Sequence, residues 1–302
     1  MGTPIFSVPI LKSLYQNGYS ISIVYTQPPQ KSQRGQRVNK SPIQGISETL
    51  NIEFRTPLSL KNNKEEYEYL KKLDADIAIV AAYGQIIPTE MLCLTKKGFI
   101  NIHASLLPKW RGAAPIQRSI MNLDKVTGIS IMKIREKLDT GPICNSYKIN
   151  ILNNDNTESI SEKLSLLAAE KIIDNIEDIL EDKLEFKDQL ENDVTYANKI
   201  DKLEGKIDWN NSAEAIIGKV NGLYPNPGAW FTYNGERYKV LKAEVGNGIG
   251  KPGLIINDYL EICCKNNSVK ILEIQRQGKK TQNINEFMLG SQIKKGLNLS
   301  NA

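Results

Sequence analysis

Apolar positions along the first two-thirds of the chain come in short runs separated by helical patterns. The runs SISIVY (20–25), DIAIVAA (76–82), FINIH (99–103) and GISIMKI (128–134) have the length and β-branched content of buried strands. Between them, SPIQGISETL (41–50) opens with a serine cap and a proline at the first helical position. KEEYEYLKKL (64–73) and TEMLCLTKKG (89–98) also read as helices, the second stopped by Gly98. The stretch 157–180 predicts one long amphipathic helix with Ile160, Leu164, Leu167, Ile172, Ile176 and Leu180 on one side. Strands alternating with helices predict an α/β fold, a doubly wound and mostly parallel sheet covered on both faces. Such sheets place ligands beyond the carboxyl ends of their strands.

The pattern changes after a polar, charge-rich stretch. One more helix (SAEAIIGKVNG) is followed by alternating runs, AWFTYNGERYKVLKAEV and later VKILEI, with Asn234-Gly235 as a two-residue hairpin signal. This predicts a small antiparallel, barrel-like β domain. The expected boundaries are 1–183 for the α/β domain, 184–202 for a linker and 203–302 for the β domain. GIGKPG (248–253) has Gly-x-Gly-x-x-Gly spacing, but its proline and β context make it a turn, because that fingerprint needs a strand before it and a helix after it. Cys263-Cys264 lies in a β run and reads as packing.

Composition narrows the classes. With 302 residues, two domains fit better than one core. No apolar run approaches the roughly 20 residues that span a bilayer, and no basic-then-apolar leader opens the chain. Four cysteines without Cys-x-x-Cys spacing and one histidine leave a zinc site short of ligands, so no metal is expected. A reducing, cytoplasmic setting follows. The net charge of +5 is unevenly spread. Residues 1–47 carry Lys12, Lys31, Arg34, Arg37 and Lys40 and no acidic group, while residues 151–200 hold 13 acidic and 5 basic groups. Basic ends around an acidic middle suit a polyanion held by two separate surfaces, and solubility alone is the plainer reading.

The lone histidine, His103, ends the run FINIH. Strand alternation puts it on the same face as Asn101, with Ile100 and Ile102 on the other. An amide beside an imidazole at a strand's carboxyl end suits acyl transfer, since both can stabilise an oxyanion and the imidazole can move a proton. A hydrogen-bonded core histidine is the competing reading. Ser105 does not sit at a strand-to-helix elbow, which disfavours nucleophilic catalysis. Asp139, in the turn Leu138-Asp139-Thr140-Gly141 after another β run, can orient the imidazole if the two strand ends meet, although Asp before Thr-Gly is also a common plain turn.

Beyond these local readings, the chain resembles the 10-formyltetrahydrofolate-dependent formyltransferases over nearly its whole length. MGTPIFSVPIL, VYTQPP, RGQR, AAYGQIIP, NIHASLLPKWRGAAPIQRSI, LDTG, TYANKI, IDW, PNPGAW and GKK occur in the family's order. The Asn-x-His-x-Ser-Leu-Leu-Pro element followed by Leu-Asp-Thr-Gly is specific to this class. Arg111-Gly112-Ala113-Ala114-Pro115, the basic loop and the second domain point to members acting on methionyl-tRNA. The resemblance implies a Rossmann-like domain followed by an OB-like barrel. It implies attack by the α-amino group of methionine, esterified to initiator tRNA, on the formyl carbon of 10-formyltetrahydrofolate. Asn101 and His103 would stabilise the oxyanion, and Asp139 would hold His103. Ser105, Leu106, Leu107 and Pro108 would line the folate site, with Ala82, Tyr83, Gly84 and Ile87 walling the pterin. Arg34 would enter the acceptor stem, Arg37 and Lys40 would support it, and Lys279 and Lys280 would touch the tRNA from the second domain. The protein is expected to be a monomer that needs no membrane.

Two expectations stand beside this one. A folate-dependent formyltransferase acting on a sugar or small nucleotide amine shares the same chemistry, and a non-catalytic RNA-binding relic shares the basic surfaces. The family carries a strand before Gly-Thr-Pro, and here Met1 directly precedes Gly2-Thr3-Pro4, so the first sheet strand is expected to be missing and Met1 to be an internal methionine of a longer protein.

Overall fold

The computed structural model describes residues 1–32 and 37–301. They fall into two compact units. The first comprises Met1–Pro115, Thr127–Ile149 and Ser161–Ala197, and the second comprises Ile116–Val126, Asn150–Ile160 and the chain from Asn198 onward.

In the first unit the strands, in chain order, are β1 (Val24–Tyr25), β2 (Gln30–Ser32), β3 (Arg37–Asn39), β4 (Phe54–Arg55), β5 (Ala78–Val80), β6 (Phe99–His103), β7 (Arg111–Gly112), β8 (Val126–Lys133), β9 (Ile143–Asn150) and β10 (Tyr196–Ala197). Four of them form a sheet in the order β5-β6-β8-β9. β5 lies parallel to β6, with Val80 opposite Asn101, and β6 lies antiparallel to β8, with His103 opposite Ser130. β1 and β4 make a separate parallel pair. Phe99 and Ile100 are adjacent in β6 and enter different apolar clusters, which is what burial on both faces of a doubly wound sheet requires. At roughly 2–3 kcal/mol for each fully buried aliphatic side chain, this strand holds the site's backbone firmly in place.

The helix at Pro42–Thr49 starts as its sequence dictates, with Ser41 Oγ accepting from the Gln44 N–H at 2.9 Å. The helix Lys64–Lys72 is capped by Asn63 and carries Glu65 and Glu66 in its first turn and Lys71 and Lys72 in its last, an arrangement matched to the helix dipole. The helix expected over 89–98 is reduced to a single 3-10 turn, Thr89–Met91. Its later N–H groups go elsewhere: Lys96 and Lys97 donate to the carbonyls of Ala75 and Asp76, at 3.2 and 2.7 Å. The long helix is present at Thr157–Leu180, and it buries Ala168 and Ile179 more completely than Leu167 and Leu180. A further helix, Val8–Gln16, buries Ile10, Leu11 and Leu14.

Between β1 and β5 only Met1 and Gly2 stand where a first strand is expected. Gly2 pairs in parallel with Ala81 and donates its N–H to Tyr25 O, and the Ala81 N–H goes to Met1 O, both at 2.9 Å. Beyond this single bridge a cavity of 340 Å³ opens, lined by Ile21, Ile23, Ile77, Ile79 and Ile176 among others. Its walls are mainly apolar side chains, with Ser7, Asp74, Asp76 and Thr95 also on the lining.

The second unit is built on β11 (Ala229–Tyr233), β12 (Glu236–Gly246), β13 (Glu261–Cys263), β14 (Ser268–Arg276) and β15 (Thr281–Asn283). They form one antiparallel sheet in the order β11-β12-β14-β13, with β15 also on β14. A register shift between Val240 and Ala243 lets β12 bend, so the sheet curls into a half-barrel around Ile216, Phe231, Val240, Ile262 and Ile271. Asn234 and Gly235 join β11 to β12 with φ of 50° and 74°, the left-handed pair that a type I′ turn needs. Cys263 and Cys264 are both buried and both free thiols.

Candidate active site

The end of β6 presents Asn101, half-buried, and His103, buried. Ile100 and Ile102 fill the opposite face, as alternation predicts. Four residues past β6 the chain passes through the cis bond Leu107-Pro108, and Trp110 adopts φ +63°. That conformation brings the Trp110 carbonyl within 2.9 Å of His103 Nε2. A carbonyl only accepts, so the hydrogen on His103 sits on Nε2, and Nδ1 is the nitrogen that faces the rest of the site.

Nδ1 lies 3.6 Å from Asp139 Oδ2, and the two side chains are 7% and 11% exposed. The strand ends therefore do meet, and the Leu-Asp-Thr-Gly turn delivers its carboxylate to the imidazole. Asp139 Oδ2 is fixed by the Gly112 N–H at 2.9 Å. Gly112 (φ +129°) lies where a Cβ would stand 2.6 Å from Ala197 O, so only glycine lets this donor approach. The Asn101 amide makes no side-chain hydrogen bond to another described residue, which leaves its N–H groups available to a ligand. An uncommitted amide, an imidazole with one fixed hydrogen and an enclosed carboxylate can stabilise developing negative charge on oxygen and carry a proton. Among the described residues, no group of three His, Cys, Asp or Glu side chains could hold a metal ion.

The expected folate-lining residues divide by exposure. Ser105 is fully buried, and its hydroxyl donates to Lys109 O at 2.6 Å, closing the turn after His103. Leu107 is buried, while Leu106 and Pro108 remain half-buried. In the 82–87 loop, Ala82 and Gly84 are exposed and left-handed, with φ of 46° and 80°. Tyr83 and Ile87 instead pack into the core beside Tyr25, Leu70 and Phe99. Ile86, not singled out from the sequence, is 84% exposed on the same loop. Neither isoleucine carries a signal separating them; only the packing does.

The basic segment after Pro29 is an antiparallel ribbon, β2 against β3, with Lys31 opposite Val38. Arg34 lies outside the described residues, and Arg37 begins β3. Lys40 is ion-paired with Glu48 at 2.9 Å on the surface. Lys279 and Lys280 are exposed, in the turn between β14 and β15 in the second unit. Sequence reasoning missed Trp110, which acts on His103 seven residues away through a backbone carbonyl, and Gln189 and Thr195, whose partners lie 48 to 85 residues away.

Likeness to known proteins extends over both units. Residues 1–176 match the formyl transferase family and residues 199–292 match the formyl transferase C-terminal domain. Methionyl-tRNA formyltransferase of Pelagibacter ubique (strain HTCC1062) is 68% identical over 302 residues, covering 100% of this chain and 97% of its own. The enzyme of the same name from Jannaschia sp. (strain CCS1) is 42% identical over 296 residues, covering 98% and 97%. Among solved structures, an N-formyltransferase from Helicobacter canadensis in complex with folinic acid and dTDP-3-aminofucose superposes with a TM-score of 0.67 at 19% identity, covering 91% of this chain and 97% of that one. HypX from Aquifex aeolicus in complex with tetrahydrofolic acid gives 0.62 at 17% identity, covering 91% and 48%. These two likenesses speak for the fold. The matches along both units place this chain in the formyl transferase family, with its N-terminal and C-terminal domains both present.

Proposed function

We propose that this chain transfers the formyl group of 10-formyltetrahydrofolate to the α-amino group of methionyl initiator tRNA, giving N-formylmethionyl-tRNA for translation initiation. The observation that carries the reading is 68% identity, over all 302 residues, to a methionyl-tRNA formyltransferase. The folate co-substrate supplies an activated formyl carbon. The donor set at the end of β6 fits it: Asn101 offers a free amide to the oxygen that gains charge, and His103 adds a positive or hydrogen-bonding edge. Asp139 balances the charge on the imidazole and, through Nδ1, gives the amine proton a route out. Ala82, Gly84, Leu106 and Pro108 have the exposure to touch the folate, and Ile86 replaces Ile87 as the apolar contact of that loop.

In this reading residues 1–183 perform the transfer, 184–202 connect, and 203–302 help to hold the tRNA through Lys279 and Lys280. Arg37 begins the second strand of the ribbon that would meet the acceptor stem, Arg34 would contact the same stem, and Lys40 would first leave Glu48. The protein works as a cytoplasmic monomer. The test is formylation of methionyl initiator tRNA by the purified protein, with His103→Ala alongside. Product from wild type and none from the variant supports the reading. Formylation of a sugar amine in preference to the tRNA, or tRNA binding without product, sinks it. Affinity for the tRNA should also fall steeply with salt, because each phosphate contact releases counterions.

A further inference from the structure

Residues 187–197 run past both halves of the catalytic pair. Lys187 exchanges backbone hydrogen bonds with Ile143, just after the Asp139 turn, at 2.8 and 2.9 Å. Gln189 Nε2 donates to the carbonyls of Asp139 and Gly141, both at 2.8 Å. Its Oε1 accepts from Arg111 Nε at 3.0 Å. Every amide hydrogen of Gln189 is thus spent on the turn that carries the carboxylate, and its oxygen on the loop that carries the histidine's carbonyl partner. Further along, Thr195 Oγ1 accepts from the Trp110 N–H, and Thr195 O from the Arg111 N–H, both at 2.9 Å. β10 then pairs in parallel with β7, Ala197 opposite Gly112.

The turn needs holding. Asp139 has φ +51°, a left-handed conformation uncommon for a residue with a side chain. Its Oδ2 reaches Nδ1 only at 3.6 Å, too long for a hydrogen bond that would itself lock the pair. Across the site, the Trp110 carbonyl that fixes the imidazole hydrogen also depends on a left-handed backbone.

We propose that Gln189 is a positioning residue for formyl transfer, setting the distance between Asp139 and His103 by clasping the Asp139 turn while gripping, through Arg111, the loop whose carbonyl orients the imidazole. Thr195 secures the far end of that loop. This rests on the roles proposed above for His103 and Asp139. The substrate need not touch Gln189: it acts on the reaction through the carboxylate.

The test is a double-mutant cycle on the full-length protein, read by single-turnover formylation of methionyl-tRNA. Gln189→Met keeps the shape and removes the amide; its kcat should fall about 10- to 100-fold with the KM for tRNA unchanged within about twofold. In an Asp139→Asn background the same substitution should cost less than about twofold, because the carboxylate it positions is gone. Gln189→Glu, with acceptors where the donors were, should reproduce the methionine result and serves if the first variant fails to fold. Undiminished kcat in both variants overturns the proposal. So does an equal loss in both backgrounds, which is what a merely structural role gives. The underlying reading fails separately: full activity of Asp139→Asn or His103→Ala shows it without any Gln189 variant.

Discussion

Replacing Asp139 by asparagine removes one charge and little else. The Asn Oδ1 can still accept from the Gly112 N–H, so the 2.9 Å contact that shapes the loop is retained. What is lost is attraction between a carboxylate and a charged imidazole 3.6 Å apart. In bulk water that attraction is about 1.2 kcal/mol, and at the effective dielectric of about 20 that suits protein sites it is about 4.6 kcal/mol. With side chains only 7% and 11% exposed, the pair sits nearer the second limit. If His103 carries positive charge when the formyl group is transferred, kcat for Asp139→Asn falls by roughly 10²–10³-fold, at about 1.4 kcal/mol per factor of ten. The KM for tRNA should stay within about twofold, since the group lies in the enclosed centre of the site. Rapid-quench single-turnover formylation, with enzyme in excess over methionyl-tRNA, measures this step. A fall smaller than the roughly sevenfold expected in water would refute the reasoning, because the carboxylate would then face no charge.

Other expectations test the scaffold. Gly112→Ala puts a Cβ 2.6 Å from Ala197 O at φ +129°, so it should abolish activity and lower stability by about 3 kcal/mol or more in thermal or urea unfolding. Gly18→Ala, at φ +82° with open space around it, should cost only about 1 kcal/mol. Ile131→Ala, fully buried in β8, should cost about 2–5 kcal/mol by the same measurement. Burial pushes the Cys144 thiol up to about 11 and the Cys264 thiol up to about 12, and raises Cys263 as well, while Cys93 is exposed. At pH 8 a thiol reagent should therefore modify one equivalent quickly and all four only in denaturant, with the slow phase accelerating as pH rises; two fast equivalents in the native protein would contradict this. In the second unit the Arg118 guanidinium holds the Glu204 carboxyl below its ordinary value of 4.5, so the pair contributes stability above that value and loses it as pH falls through the lowered one. Arg118→Ala should accordingly destabilise by about 1–2 kcal/mol near pH 7, and the difference from wild type should shrink in acid.

The periodic parts of the molecule were legible because their pattern and their neighbours agree. FINIH is a strand in both readings, and its alternation correctly separates Asn101 and His103 from Ile100 and Ile102. Asn234-Gly235 makes the turn that its residue types demand. The helix expected at 89–98 was not formed, because the strand entry at Ala75 and Asp76 competes for its N–H groups, and no local pattern records such a competitor. The same limit applies within the site. His103 and Asp139 stand out in the sequence as residue types at strand ends, and the fold brings them together, whereas Trp110 is recruited for its carbonyl, which every residue type shares. Gln189 lies 50 residues from the Asp139 carbonyl that it binds, so only the folded chain shows its use. Tyr83 and Ile87, which the resemblance places at the pterin, pack in an apolar cluster, because a loop with two left-handed residues alternates its side chains in a way the sequence does not spell out.

A chain with one histidine, and that one beside Asp139 in the candidate site, carries its own spectroscopic label. Every imidazole C–H signal in a proton spectrum of the unlabelled protein belongs to His103, with no assignment needed. Its response to pH, to folate and to tRNA can be followed in separate titrations, and a histidine-directed acylating reagent has a single target whose protection reports occupancy. The chemistry of the site can thus be watched in the unmodified protein before any residue is replaced.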